Sequence, residues 1–323
     1  MSIRSASVQL AAILAAAAMV GPPALAQTPA VGSVTVEGPL MPKVVQRQAR
    51  DFVHALATPT AELGQIPRWR DPVCVDVFGL RAEDAAKIKA RVEDVAKAVG
   101  AEVQGPGCKG DIEIVFTEKP QFLMDGVARK RELLLGYYHR QDTRKLKSVT
   151  RPIQAWYVTA TLGGGGNTTG PVFAYTENAM GRPAIPIQLH REVIDDAGYM
   201  APTGCGDTHF SACLRGVFKN VLIVADANRL KGKDIGLLAD YIVMVALSQP
   251  RSLDGCNALP SVIDVFASAD CAGRKIPNGL TPADASYLTS LYQADPEARL
   301  MFQQGDIAGR MAKILINAGE QAR

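Results

Sequence analysis

Histidine is scarce in this chain: His54, His139, His190 and His209 are the only four. No two of them stand four residues apart, so no helix can offer a histidine pair from one face to a catalytic zinc ion, with a neighbouring Glu to activate a metal-bound water. Also missing is a Gly-x-Ser-x-Gly elbow, which excludes that seat for a serine nucleophile. The glycine run Gly163 to Gly166 is followed by neither Gly-Lys-Ser/Thr nor a helix start, and so reads as a flexible loop rather than a phosphate cradle. The apolar run Val8 to Val20 falls short of the roughly 20 residues needed to span a bilayer, and no later stretch is long and apolar enough, so no transmembrane segment is expected. Excess charge is small too. The net is +3, from 35 Lys and Arg against 32 Asp and Glu, too weak a field to imply a nucleic-acid partner.

What is present begins with a leader. Arg4, the apolar run and Pro22-Pro23-Ala24-Leu25-Ala26 before Gln27 have the order of a secretory signal peptide, placing it at 1–26 with cleavage near Ala26. Residues 27–42, rich in Pro, Gly, Thr and Val without periodicity, read as a flexible tether. The remainder, 43–323, contains no repeat and no linker, and is expected to be a single domain; 47% of the chain is hydrophobic, enough for a sizeable core. The first cysteine is Cys74, far from the cleavage region, which points to a free protein, periplasmic or secreted, rather than a lipid-anchored one.

Six cysteines in an exported chain predict three disulfides, with the connectivity open on composition alone. Cys74 opens an apolar strand and Cys108 precedes the next. With a helix crossing between them, both lie at one end of a parallel pair and can be bridged. Cys205 with Cys213 and Cys256 with Cys271 then close two short loops. A structural zinc site from Cys205, His209 and Cys213 is the rival reading, disfavoured by an oxidising compartment.

Periodicity sets out the elements. A first helix is expected over Lys43 to Leu56. Val73, Val75 and Val77 alternate with Cys74, Asp76 and Phe78, a strand signal ended by Gly79. Ala85, Ile88, Val92, Val95 and Val99 then share one helical face, acidic residues crowd its first turn, and Gly100 stops it. Ile112, Ile114 and Phe116 form the next strand and complete a parallel βαβ unit. Further strands are expected over Ile153 to Leu162 and Val217 to Ala225. The helix Lys233 to Leu247 is apolar on almost every side, as suits the centre of a domain. Thr281-Pro282-Ala283-Asp284 reads as a helix start, with Thr as N-cap and Pro at the first helical position. A last helix is expected over Glu297 to Ala318.

From Ala128 to Arg151 the chain is basic: Arg129, Lys130, Arg131, Arg140, Arg144, Lys145, Lys147 and Arg151 face only Glu132 and Asp142, with Tyr137 and Tyr138 among them. Such a surface can meet phosphate or other polyanions, including anionic envelope lipid or glycan. Its plainer reading is a solvated hairpin or loop.

Residues 237–292 resemble the tail of zincin-type metalloproteases. The matches are Ala246-Leu247 at the exit of a buried helix, Ser261-Val262-Ile263 in a following turn, Leu280-Thr281-Pro282-Ala283-Asp284 at a helix start, and Leu291-Tyr292 near its end. Upstream, Gly110 to Phe116 resembles the strand those enzymes place beside the active site. The chain is also similar to an uncharacterised proteobacterial family of exported proteins with a degenerate zincin-like end. The resemblance implies an α/β (α+β) fold: a zincin-like mixed sheet with a long helix, a buried central helix and C-terminal helices. Carried over residue by residue, it puts Tyr241 and Val245 where the zinc histidines stand and Ile242 in place of the general-base Glu. A shift of register by one pairs Asp240 with Met244, a poor zinc pair because a thioether suits softer ions. The implied protein is a pseudoenzyme with no catalytic residue, metal or cofactor at that helix.

Two other function classes stay open at this level. One is a hydrolase with a non-standard site in the irregular 174–213 stretch, drawing on His190, Asp207 and His209, with Asp195, Asp196 and Ser211 nearby; Asp207, His209 and Ser211 alternate over five residues rather than assembling from distant segments as a triad does. The other is a polyanion-binding module on the basic stretch. The leading expectation is a non-catalytic exported scaffold whose partner is an envelope component or another exported protein.

Overall fold

A computed structural model describes residues 42–60, 65–136, 143–163, 214–251, 253, 255–267, 271 and 275–321. The described residues fall in one compact unit of mixed α/β architecture: seven α-helices and one four-stranded mixed sheet. In chain order the elements are α1 (Pro42–Leu56), β1 (Val75–Phe78), α2 (Ala82–Val99), β2 (Ile112–Thr117), α3 (Pro120–Lys130), α4 (Thr143–Leu146), β3 (Ile153–Gly163), β4 (Leu214–Asp226), α5 (Ile235–Leu247), α6 (Pro282–Gln293) and α7 (Leu300–Gln321). Two 3₁₀ turns, Glu132–Leu135 and Val262–Phe266, lie between them.

The sheet runs β1-β2-β4-β3. β1, β2 and β4 are parallel, and β3 closes one edge antiparallel to β4 with a register shift between Val158 and Thr159. Because side chains alternate across a strand, β2, β3 and β4 each feed two cores. Ile112, Ile114 and Phe116 of β2, with Val221, Ile223 and Ala225 of β4, enter the large core shared with α1, α2, α5, α6 and α7. On the other face Leu222 and Val224 join Trp156, Met124, Val127 and Leu135 in a smaller core under α3.

Local chemistry accounts for the boundaries. α2 buries Ile88, Val92, Val95, Ala96 and Val99 and stops at Gly100, whose left-handed φ of 94° closes the last turn. After β1 the chain turns at Gly79, with φ of 82°. A Cβ there would stand 1.9 Å from the Phe116 carbonyl oxygen, so only glycine lets this turn press against the end of β2. Asp234 caps α5 by accepting from the Leu237 N–H. Thr281 and Asp284 form a reciprocal capping box at α6, with Pro282 in the first turn, as the sequence pattern predicts.

Two of the three expected disulfides, Cys74–Cys108 and Cys256–Cys271, are present; Cys205 and Cys213 lie outside the described residues. The basic stretch departs from the expected hairpin or loop. Its start, Ala128 to Lys130, is the last turn of α3, and Glu132–Leu135 and Thr143–Leu146 are helical turns.

Candidate functional site

Helix α5 is where the resemblance directs attention. Tyr241, Ile242, Met244 and Val245 are buried in the large core, and Tyr241 meets Phe266 edge to face at 4.9 Å between ring centroids. Asp240 forms an ion pair with Arg91 of α2 at 2.6 Å and accepts the Leu280 N–H at 2.8 Å, so it ties three parts of the fold together.

Past the last i→i−4 bond of α5, made to Met244 O, the carbonyls of Val245, Ala246 and Leu247 have no helical N–H, and in a buried position each needs another donor. Met244 O accepts from Ser248, through both backbone N–H and Oγ. Val245 O takes the Tyr157 hydroxyl at 2.8 Å, Ala246 O the Trp69 indole N–H at 2.8 Å, and Leu247 O the Tyr292 hydroxyl at 3.0 Å. Burial raises the Tyr157 and Tyr292 pKa values, so both hydroxyls hold their protons as donors. The neighbouring Arg68 is buried as well. Desolvation lowers its pKa to about 10, and its Nη1 donates to Leu291 O and Ala294 O at the end of α6.

Below α5, Asp284 is fully buried and collects the Ser261 hydroxyl, the Val262 N–H and both the N–H and hydroxyl of Thr281. It therefore holds the starts of α6 and of the Val262–Phe266 turn at once. Burial raises its pKa to about 6, against the lowering effect of these donors. Among the described residues, no group of three or more His, Cys, Asp or Glu side chains converges to hold a metal ion.

The second candidate region is the outer surface of α3. Its last residues, Arg129 and Lys130, are exposed. The end of α4 and the turn after it are laid beside the helix: Gln121 Oε1 accepts the Val149 N–H and its Nε2 donates to Lys147 O, while the Trp156 indole N–H donates to Leu146 O. These contacts hold Lys147 and Val149 against the helix, and Arg144 and Lys145 are exposed on the adjoining turn of α4. Two of the predicted cations are committed elsewhere. Arg131 makes a two-pronged pair with Glu113 at 2.7 and 2.9 Å, and Lys147 pairs with Asp125 at 2.8 Å, which lowers the Asp125 pKa. Among the described residues, Arg129, Lys130, Arg144 and Lys145 have no such ion pair.

Beside them runs a groove of about 580 Å³, lined by Thr117, Lys119, Phe122, Leu123, Gly126 and Lys130, with one carboxylate, the exposed Glu118, at its rim. Phe122 is 72% exposed. Neither Phe122 nor Lys119 was marked by the sequence pattern, because the exposure of an aromatic ring is decided by how its helix sits on the sheet.

Comparison with protein-family models, curated proteins and solved structures gives no match for this chain. Of the remaining expected residues, His54 is exposed on α1, while Arg140, His190, Asp207 and His209 lie outside the described residues.

Proposed function

We propose that this protein is an exported, non-catalytic scaffold with a zincin-like order of elements, serving a binding role at the cell envelope. One observation carries the reading. The helix that would bear the zinc ligands is packed with apolar side chains, and its terminal carbonyls are taken up by Ser248, Tyr157, Trp69 and Tyr292. Valine at 245 has no lone pair for zinc and isoleucine at 242 cannot move a proton, so this helix serves the interior. The order of a parallel βαβ unit, an antiparallel edge strand and then a buried helix supports the zincin-like assignment. The two cystines favour an oxidising compartment, in agreement with the signal-peptide reading, and no described helix is long and apolar enough to cross a membrane.

The test is elemental analysis of the folded, untagged protein after dialysis against zinc-containing buffer and then metal-free buffer. The expected outcome is no stoichiometric zinc. One tightly held zinc per chain, removable only by a strong chelator, overturns the reading.

A further inference from the structure

At 100° per residue, Lys119, Phe122, Gly126, Arg129 and Lys130 of α3 and its entry share an arc of about 100° facing away from the small core, which receives Met124 and Val127. The composition of this arc is unusual for a solvated helix face. Its centre holds a largely exposed phenylalanine and a glycine, and its borders hold three cations. A Cβ on Gly126 would meet nothing within 4 Å, so neither packing nor a left-handed backbone calls for glycine there. Arg144 and Lys145 extend the positive border along the neighbouring segment. Among the described residues none of these five cations has a carboxylate within ion-pair distance, in contrast to Arg131 and Lys147, which pair with Glu113 and Asp125; Arg129 acts on Asp125 only at longer range.

We propose that this face is a docking site for an anionic lipid surface: Phe122 enters the interface beside the groove at Gly126, and Lys119, Arg129, Lys130, Arg144 and Lys145 contact the anionic headgroups. The inference rests on the envelope-binding reading above and names its partner. One aromatic wedge ringed by cations is how a peripheral protein engages such a surface, hydrophobic insertion adding to attraction by anionic lipid. A stable protein interface needs about 800 Å² from each partner, far more apolar area than a single phenylalanine offers. A second copy of this chain would set the same unpaired cations against one another.

The experiment is co-sedimentation of the full mature chain with vesicles of phosphatidylcholine alone and of phosphatidylcholine mixed with phosphatidylglycerol. Binding is expected only to the mixed vesicles. It should weaken as salt rises from about 0.1 to about 1 M, which shortens the screening length from about 10 to about 3 Å. Removing two cations in Lys119→Ala/Lys130→Ala should lower the partition coefficient about 30-fold, and Phe122→Ser about 10-fold. Met301→Ser, an equally exposed apolar site on α7, should leave it unchanged. Because all these positions are exposed, unchanged circular dichroism is expected and serves as the folding control.

Equal binding to both vesicle types, or binding indifferent to the Phe122 and lysine substitutions, overturns the proposal. So does retention of the chain by glycerol phosphate or polyglutamate with no vesicle binding, which would assign the charge to a soluble anion or an acidic polypeptide. Each of these results leaves the zinc measurement standing, so the scaffold reading and the lipid site fail separately.

Discussion

Asp284 shows how a single buried carboxyl can make the fold sensitive to pH. Its pKa is about 6 in the folded chain against 3.8 for the free side chain, because loss of solvent outweighs the donors around it. One donor is only partly available: the Thr281 hydroxyl lies within reach of both Pro260 O and Asp284 Oδ2 and has a single hydrogen to give. Folding therefore takes up a proton between about pH 4 and pH 6. The stabilisation linked to this group is present below that window and is lost as pH rises through the folded value, a change of about 3 kcal/mol at 1.36 kcal/mol per unit. Urea unfolding of the wild-type chain and of Asp284→Asn should thus diverge with pH. The wild-type advantage over the variant is expected to be about 2 kcal/mol greater at pH 4 than at pH 7, the remainder of the ~3 kcal/mol appearing only at lower pH, and a constant difference would refute the linkage.

At the scale of elements, legibility followed the number of buried positions. α2 was readable because five buried side chains recur on one face and a glycine ends it, and α6 because its capping box is local in sequence. α3 was not. It buries only Met124 and Val127, too few for a period, and its basic end suggested a loop. The site was legible to the same degree. Arg129 and Lys130 stand out by charge, but the neutralisation of Arg131 and Lys147 depends on Glu113 and Asp125 from other turns and strands. The ties on α5 were also hidden, since Trp69, Tyr157 and Tyr292 arrive from segments far away in sequence. Their contribution can be measured. Tyr157→Phe keeps the ring and removes the donor to Val245 O, leaving a buried carbonyl unpaired at a cost of about 1–3 kcal/mol. Denaturant unfolding should show that loss with no change in the denaturant slope, whereas an unaltered midpoint would mean that water replaces the hydroxyl and that the helix end is wetter than its contacts imply.

Across the whole molecule, stability and the proposed docking surface lie at opposite ends of the parallel strands. The Cys74–Cys108 bridge joins the starting ends of β1 and β2, where Cys74 O also accepts the Asp111 and Ile112 N–H groups. The groove beside α3 opens past the other end of β2, at Thr117 and Lys119. The bridge closes a loop of 34 residues, and restricting the unfolded chain to that extent is worth about 4 kcal/mol by loop entropy. Cys74→Ala/Cys108→Ala should therefore lower the unfolding free energy by about that amount. Below the new melting temperature, binding to anionic vesicles should persist, because α3 is held through Met124, Val127, Trp156 and Leu222 on the far face of the sheet rather than through the bridge. Thermal unfolding and vesicle co-sedimentation on the same preparation check both halves. Loss of vesicle binding in a variant that is still folded would show that the start of the βαβ unit and the α3 surface are coupled through the sheet, and the separation argued from their placement would then be wrong.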